Sequence, residues 1–224
     1  SPRRIAALFL ELMSRLGHDR FIVQGANWGS TIGTVMAQDA PERVIGLHLN
    51  SVNAIPPAEP MPLDPGDQAL ADRYVTLLDA PHFNLLSKAP LGIAHALNDS
   101  PAGLAAWMGE RLRDWADPDI HDNPGLDPEW IVGNAALAWF TTTAATSSML
   151  YREAVLDPAP PARVDVPTAV AAFAKELVLA PRAWAEQQYN IVRWTSHQAG
   201  GHFPAVEVPD AFVEDVRQFA AALR

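Results

Sequence analysis

The stretch Phe21-Ile22-Val23-Gln24-Gly25-Ala26-Asn27-Trp28-Gly29-Ser30 decides the fold. Its first part, entered from Arg20, is a short apolar run with a β-branched pair that closes on Gly25, which reads as a buried strand ending in a turn. From Ser30 to Gln38 the apolar spacing becomes helical and stops near Pro41. Gly25 and Gly29 therefore bracket a strand-to-helix turn of the form Gly-x-Nu-x-Gly, in which small residues permit a sharp bend and expose the central side chain, here Asn27. The backbone N–H of Trp28, at the helix start, is placed to donate to an oxyanion. On spacing alone, an ordinary strand-to-helix turn carries the same pattern.

Working outward, residues 3 to 16 place Ile5, Leu8, Phe9, Leu12, Met13 and Leu16 at helical spacing, with Gly17 as the stop. Val44-Ile45-Gly46-Leu47-His48-Leu49 reads as the next strand. Helix, strand, helix, strand is the alternation of a parallel sheet covered by helices. The pattern changes at Ile55 to Pro65, where five prolines in eleven residues suit an extended linker. Beyond it the candidates are helical: 67 to 79, a broken stretch near 82 to 97, 101 to 115, and 128 to 153. Asn98-Asp99-Ser100-Pro101 is a helix start, because Asp99 or Ser100 can accept orphan amide bonds and Pro101 needs no donor. Asp157-Pro158-Ala159-Pro160-Pro161 forms a second hinge. Strand character returns at Val166 to Phe173 and at 190 to 195, with helices at 181 to 188 and 209 to 223. The expected organisation is a core over residues 1–55 and 162–224, interrupted by a helical insertion at 56–161.

Composition narrows the function classes. Of 224 residues 49% are hydrophobic, enough to bury a sizeable core and too many for a disordered chain. Sixteen basic against 26 acidic residues give a net charge of −10, which repels phosphate backbones and excludes nucleic acid as a natural partner. The longest apolar runs fall far short of the roughly 20 residues of a membrane-spanning helix. Without cysteine there is no disulfide framework, thiol nucleophile or cysteine-held metal, a composition that fits a cytoplasmic protein without requiring one. No phosphate-binding glycine loop and no His-Glu-x-x-His cluster is present. The seven tryptophans read as apolar bulk suited to a hydrophobic small molecule.

Two further residues carry chemistry by position. His202, in Gly200-Gly201-His202-Phe203, follows the last expected strand, where flanking glycines leave an imidazole free to reach a pocket as a general base. Glu176 follows the strand ending near Phe173, so it can sit at a strand's carboxyl end and orient His202. The plainer alternatives are a surface loop histidine and a solvated charge beside Lys175.

These features occur together in a familiar order. The chain resembles the microsomal-type epoxide hydrolases of the α/β-hydrolase fold. The likeness runs through Leu12 to Gly17, Phe21 to Gly25, Trp28-Gly29-Ser30, Gly46 to Asn50, Ala96 to Trp107, Val166-Pro167-Thr168, and Gly200 to Phe203 on to Glu207 and Pro209. The resemblance implies an α/β-hydrolase core with a helical cap domain, a cofactor-free reaction and a hydrophobic epoxide as substrate. It implies an elbow residue at 27 that opens the epoxide to an alkyl ester, with His202 activating water and Glu176 orienting it. It also implies a proton-donating cap tyrosine at Tyr151, which read alone could be a surface aromatic.

Three departures stand against the family pattern. Asn27 occupies the position where the family has aspartate, and a neutral amide has no anionic oxygen, so the ester-forming step is expected to be impaired. An engineered change, a homologue that has abandoned the covalent step, and an asparagine that becomes aspartate by deamidation all fit. A second cap tyrosine is replaced by His82, expected at the surface after Pro81 rather than as a donor. The family sheet also has more strands than the four read here, so the Phe21 to Gln24 strand is expected to have an unpaired edge. The chain is thus expected to be the carboxyl-terminal part of a longer protein, or to need a complementary N-terminal segment or a second copy. The rival readings are a binding protein without turnover and an epoxide-opening cyclase without a covalent intermediate.

Overall fold

A computed structural model describes residues 1–57, 59, 61–159 and 162–223. Four strands, β1 (Phe21–Gly25), β2 (Val44–Leu49), β3 (Val164–Phe173) and β4 (Tyr189–His197), form one parallel sheet in the order β1-β2-β3-β4. Before and between β1 and β2 lie α1 (Pro2–Arg15) and α2 (Trp28–Asp39). Six helices follow β2: α3 (Pro65–Leu78), α4 (Pro81–Lys88), α5 (Pro90–Asp99), α6 (Pro101–Trp115), α7 (Pro128–Phe140) and α8 (Ala144–Leu156). Then α9 (Arg182–Gln188) precedes β4, and α10 (Pro204–Glu207) and α11 (Pro209–Ala222) close the chain. A parallel core with helices inserted between β2 and β3 is the arrangement that the resemblance to the α/β-hydrolase fold implies.

The central strands are apolar on both faces because helices cover both. A Cβ added at Gly33 of α2 would meet Val23 and Leu47, whereas one at Gly46 would meet Phe219 and Leu223 at the end of the chain. Successive residues of β2 thus face α2 and α11 in turn, the period of a strand sandwiched between helices. Val35, Val44, Leu47, Leu49, Val170 and Phe173 are sealed there. Each contributes about 1.5–3 kcal/mol relative to exposure.

The apolar stripe of α1 packs inward only in part: Pro2 and Ala6 are buried and Ile5 and Leu10 pack against the core, while Leu8, Phe9, Leu12 and Leu16 stay 46 to 61% exposed. The cause is position, since α1 rests on α2 beside β1, an outer strand with no further strand along its free edge among the described residues. The single helix expected at 128 to 153 is two. Thr142 takes a left-handed φ of 54°, and the N–H groups of Thr142 and Thr143 return to Trp139 O and Ala138 O, a helix-ending motif that usually employs glycine. The break near 82 to 97 falls at Ala89, before Pro90. Ser100 is the cap of α6, accepting from Gly103 N at 3.0 Å. No regular element forms at the described residues of 55–63, and Ala58, Pro60, Pro160 and Pro161 of the two proline-rich stretches lie outside the described residues. Among the described residues no helix is long and apolar enough to cross a membrane.

Candidate active site

The loops that follow the four parallel strands gather at one end of the sheet, where open α/β sheets hold their ligands. After β1, Asn27 adopts φ 49° and ψ −124° and caps α2. A non-glycine residue in such a conformation costs on the order of 1–3 kcal/mol, so the surrounding turn must enforce it. Gly25 is what permits that turn: a Cβ there would lie 2.4 Å from the carbonyl oxygen of Gly29. Gly29, expected to be small for the same reason, is not constrained in this way, because a Cβ at that position would touch nothing within 4 Å.

The strained backbone aims the Asn27 amide between two partners. The Trp28 N–H donates to Oδ1 at 2.7 Å, and Nδ2 lies 2.7 Å from His202 Nε2. A backbone N–H can only donate, so the atom facing Trp28 is the oxygen and the atom facing His202 is the NH₂. His202 Nε2 is therefore the acceptor, and the ring proton sits on Nδ1, which donates to Glu176 Oε1 at 2.7 Å. Glu176 is fully buried and His202 nearly so. The Glu176 carboxylate also accepts from Val178 N at 2.8 Å and from Ser51 Oγ at 3.0 Å. Its backbone carbonyl accepts from the Arg73 guanidinium. Burial lowers the Arg73 pKa, and the charge of Glu176 pulls it back up. Asn27, His202 and Glu176, remote in sequence, thus lie in one hydrogen-bonded line, with the imidazole tautomer fixed by the carboxylate.

Above this line lies an apolar cavity of about 280 Å³ whose walls include Asn27, Trp28, His82, Trp115, Tyr151 and Leu177. That is near the lower end of small-ligand pockets. Tyr151, on α8, meets the Trp28 ring edge-on at 5.0 Å between centroids. Burial raises its phenol above the ordinary value, against smaller opposing effects of Trp28 and Arg111, so the hydroxyl stays protonated and able to donate. His82 is not at the surface as expected. It lies in the first turn of α4 and lines the cavity 6.1 Å from the Tyr151 ring on α8 and 5.4 Å from Trp115 on α6. Burial, and then the charge of Arg111, lower its pKa, so it faces the cavity as a neutral imidazole.

The structure therefore brings Asn27, Trp28, Tyr151, Glu176 and His202 together. Ser51 and Arg73 escaped the sequence reading. Ser51 stands two residues past the end of β2, and the rule that site residues follow the carboxyl ends of parallel strands points to it. Arg73 lies inside a helix with no local signal.

Comparison with known proteins gives the family of the chain. A family model described as alpha/beta hydrolase fold matches residues 3–119. Over 97% of its length the chain is 30% identical to Epoxide hydrolase 1 of Sus scrofa, covering 54% of that protein. It is 31% identical over 95% of its length to the juvenile hormone epoxide hydrolase of Bombyx mori, covering 52% of it. The crystal structure of the Bombyx mori enzyme superimposes on the whole chain with a TM-score of 0.86 at 30% identity, covering 59% of that chain. The chain spans about half the length of the curated relatives it matches. It belongs to the α/β-hydrolase fold family, and the relatives it matches within that family are epoxide hydrolases.

Proposed function

We propose that the chain carries the site of a cofactor-independent epoxide hydrolase acting on a hydrophobic epoxide, with the helical insertion at 56–161 serving as the cap and position 27 as the acceptor of the alkyl group. The observation that supports this best is the line from Asn27 through His202 to Glu176 beneath a cavity roofed by Tyr151. With aspartate at 27, a carboxylate oxygen attacks one epoxide carbon, the carbon–oxygen bond breaks, and the alkoxide takes the Tyr151 proton. His202 then removes a proton from water as that water attacks the ester carbonyl. The Trp28 N–H holds the oxyanion, and the proton passes from His202 to the departing alcohol oxygen to release the diol.

As encoded, Asn27 stops this sequence at its first step. The same geometry favours deamidation as the release. His202 Nε2 already touches the nitrogen that would leave, and Trp28 N–H already touches the oxygen that would carry negative charge. Water adding to Cγ as it gives a proton to His202 Nε2 would form a tetrahedral intermediate whose collapse, with that proton passed from His202 to the leaving nitrogen, yields aspartate and ammonia. Nothing in this needs a metal or redox partner. The exposed stripe of α1 and the free edge of β1 are read as the face covered by a complementary segment or a second copy. A stable monomer in solution with that face open would contradict this part.

The test is to incubate the protein and its Asn27→Asp variant with a styrene-oxide-type epoxide in heavy-oxygen water, analysing the diol and the peptide containing residue 27. Diol from Asn27→Asp, with label entering the peptide, is the expected result. Label in the peptide of the unchanged chain marks deamidation. Binding without diol in either form favours a non-catalytic protein, and a cyclic ether from a hydroxy-epoxide favours a cyclase.

A further inference from the structure

The backbone of the loop that carries His202 is held at four consecutive residues. Gly200 N donates to Asp117 Oδ2 at 2.8 Å, Gly201 N to Glu207 Oε2 at 3.2 Å, His202 N to Trp115 O at 2.9 Å, and Phe203 N to Glu207 Oε1 at 2.8 Å. Two of these four bonds end on one carboxylate. Glu207 reaches in the other direction as well, accepting from Asp117 N at 2.5 Å and from Asn123 Nδ2 at 3.1 Å. Both Glu207 and Asp117 are buried, at 4% and 1% exposure, with donors of the backbone and of Asn123 in place of a cation. Gly201 completes the fit, since a Cβ there would stand 2.7 Å from Trp115 O and Asp117 N.

We infer that Glu207 is the positioning residue for His202, tying the base loop to the segment that leaves α6, so that imidazole and helical layer keep one geometry. A buried carboxylate is costly unless each oxygen is saturated with donors, and here the donors bracket His202 in the chain. Losing either oxygen strands an N–H group next to the histidine, Gly201 N on Oε2 or Phe203 N on Oε1. The ring would then turn away from the line between Glu176 and residue 27, where an ångström of misplacement is enough to slow a proton transfer. The inference rests on the reading of His202 as the water-activating base.

Glu207→Gln tests it, because this near-isosteric change sets an NH₂ against donors that need an acceptor. In the unmodified chain the Nδ1 proton of His202, short-bonded to a buried carboxylate, should give a far-downfield proton NMR signal, assigned by its loss in His202→Gln. Glu207→Gln is expected to shift or broaden that signal. In the Asn27→Asp background it should lower kcat roughly tenfold or more with KM held within about twofold, and Glu207→Asp should recover part of the loss. If Glu207→Gln fails to fold, Glu207→Asp carries the test, with an intermediate displacement of the signal expected and an unmoved signal overturning the inference. An unmoved signal and kcat accompanied only by a lower Tm would likewise overturn it. The signal needs no turnover, so a His202 resonance that responds to Glu207 in a protein inert toward epoxides would leave the clamp standing and remove the proposed function.

Discussion

Among the described residues, two buried histidines are paired with carboxylates, and one of these pairs reaches, through Asn27, the wall of the cavity, whereas the other lies within the sheet. His202 is 2.7 Å from Glu176, and His48 is 3.1 Å from Asp215. His48 lies in the middle of β2, fully buried between Phe212 and Phe219, and its free ring nitrogen Nδ1 meets no hydrogen-bond partner. Its carboxylate also holds Arg193 at 3.1 Å. His202 lies in a loop past the end of β4, and its second nitrogen points at Asn27 beside the open cavity. Glu176 is served by neutral donors besides the imidazole, and Asp215 by a cation. The pair itself is common chemistry. What separates a proton-transfer device from a structural bond is whether the far nitrogen of the ring opens onto a place where a reactant can stand.

That contrast can be broken in both directions. In the Asn27→Asp background, His202→Gln should cut hydrolysis on the order of a thousandfold or more, with Tm lowered by no more than about 3 °C. Asp215→Asn should do the reverse. It should cost about 3 kcal/mol of stability, read by denaturant unfolding, because it removes the charge that pairs with Arg193 and one of the two oxygens that hold His48 and Arg193, while turnover stays within about twofold. Equal losses of rate and stability in both variants would erase the distinction.

The same pair predicts a pH response. Burial alone would raise the Asp215 pKa, but hydrogen bonds from His48, Arg193 and Thr195 and the Arg193 charge outweigh it and hold the carboxyl well below its ordinary 3.8. A depressed carboxylate contributes stability that is present above that ordinary value and is lost as pH falls through the lowered one. Acid unfolding curves should therefore show this contribution disappearing below about pH 4, and Asp215→Asn should flatten it. Smaller effects belong to the roof of the cavity. Tyr151→Phe should lower kcat/KM roughly tenfold, with His82 left as the remaining donor. His82→Tyr should raise it by a few-fold, and a fall would show that the neutral imidazole is the better donor here.

Much of this was legible in the letters, for reasons that differ by region. The parallel core shows because β1 to β4 are short apolar runs bounded by turn residues and separated by helical spacing. The hydrogen-bonded line of the site shows because each of its three members follows a strand: Asn27 after β1, Glu176 after β3, His202 after β4. The stripe of α1 misleads, because periodicity reports which face is apolar and not whether a neighbour exists to cover it. The break at Thr142 is hidden because a threonine takes the left-handed role that usually announces itself as glycine. His82 is hidden because the turn of α4 that aims it depends on helices distant in sequence. Glu207 shows its position within the family-like stretch but not its four partners, which come from two segments far apart along the chain.

The most direct measurement is a trapping experiment on the double variant Asn27→Asp with His202→Gln, mixed with an apolar epoxide and analysed by peptide mass. Opening the epoxide without the base to release it should leave a persistent ester on residue 27, adding the full mass of the epoxide to that peptide alone. No adduct at residue 27, under conditions where Asn27→Asp by itself makes diol, would contradict the assignment of that position as the alkyl acceptor.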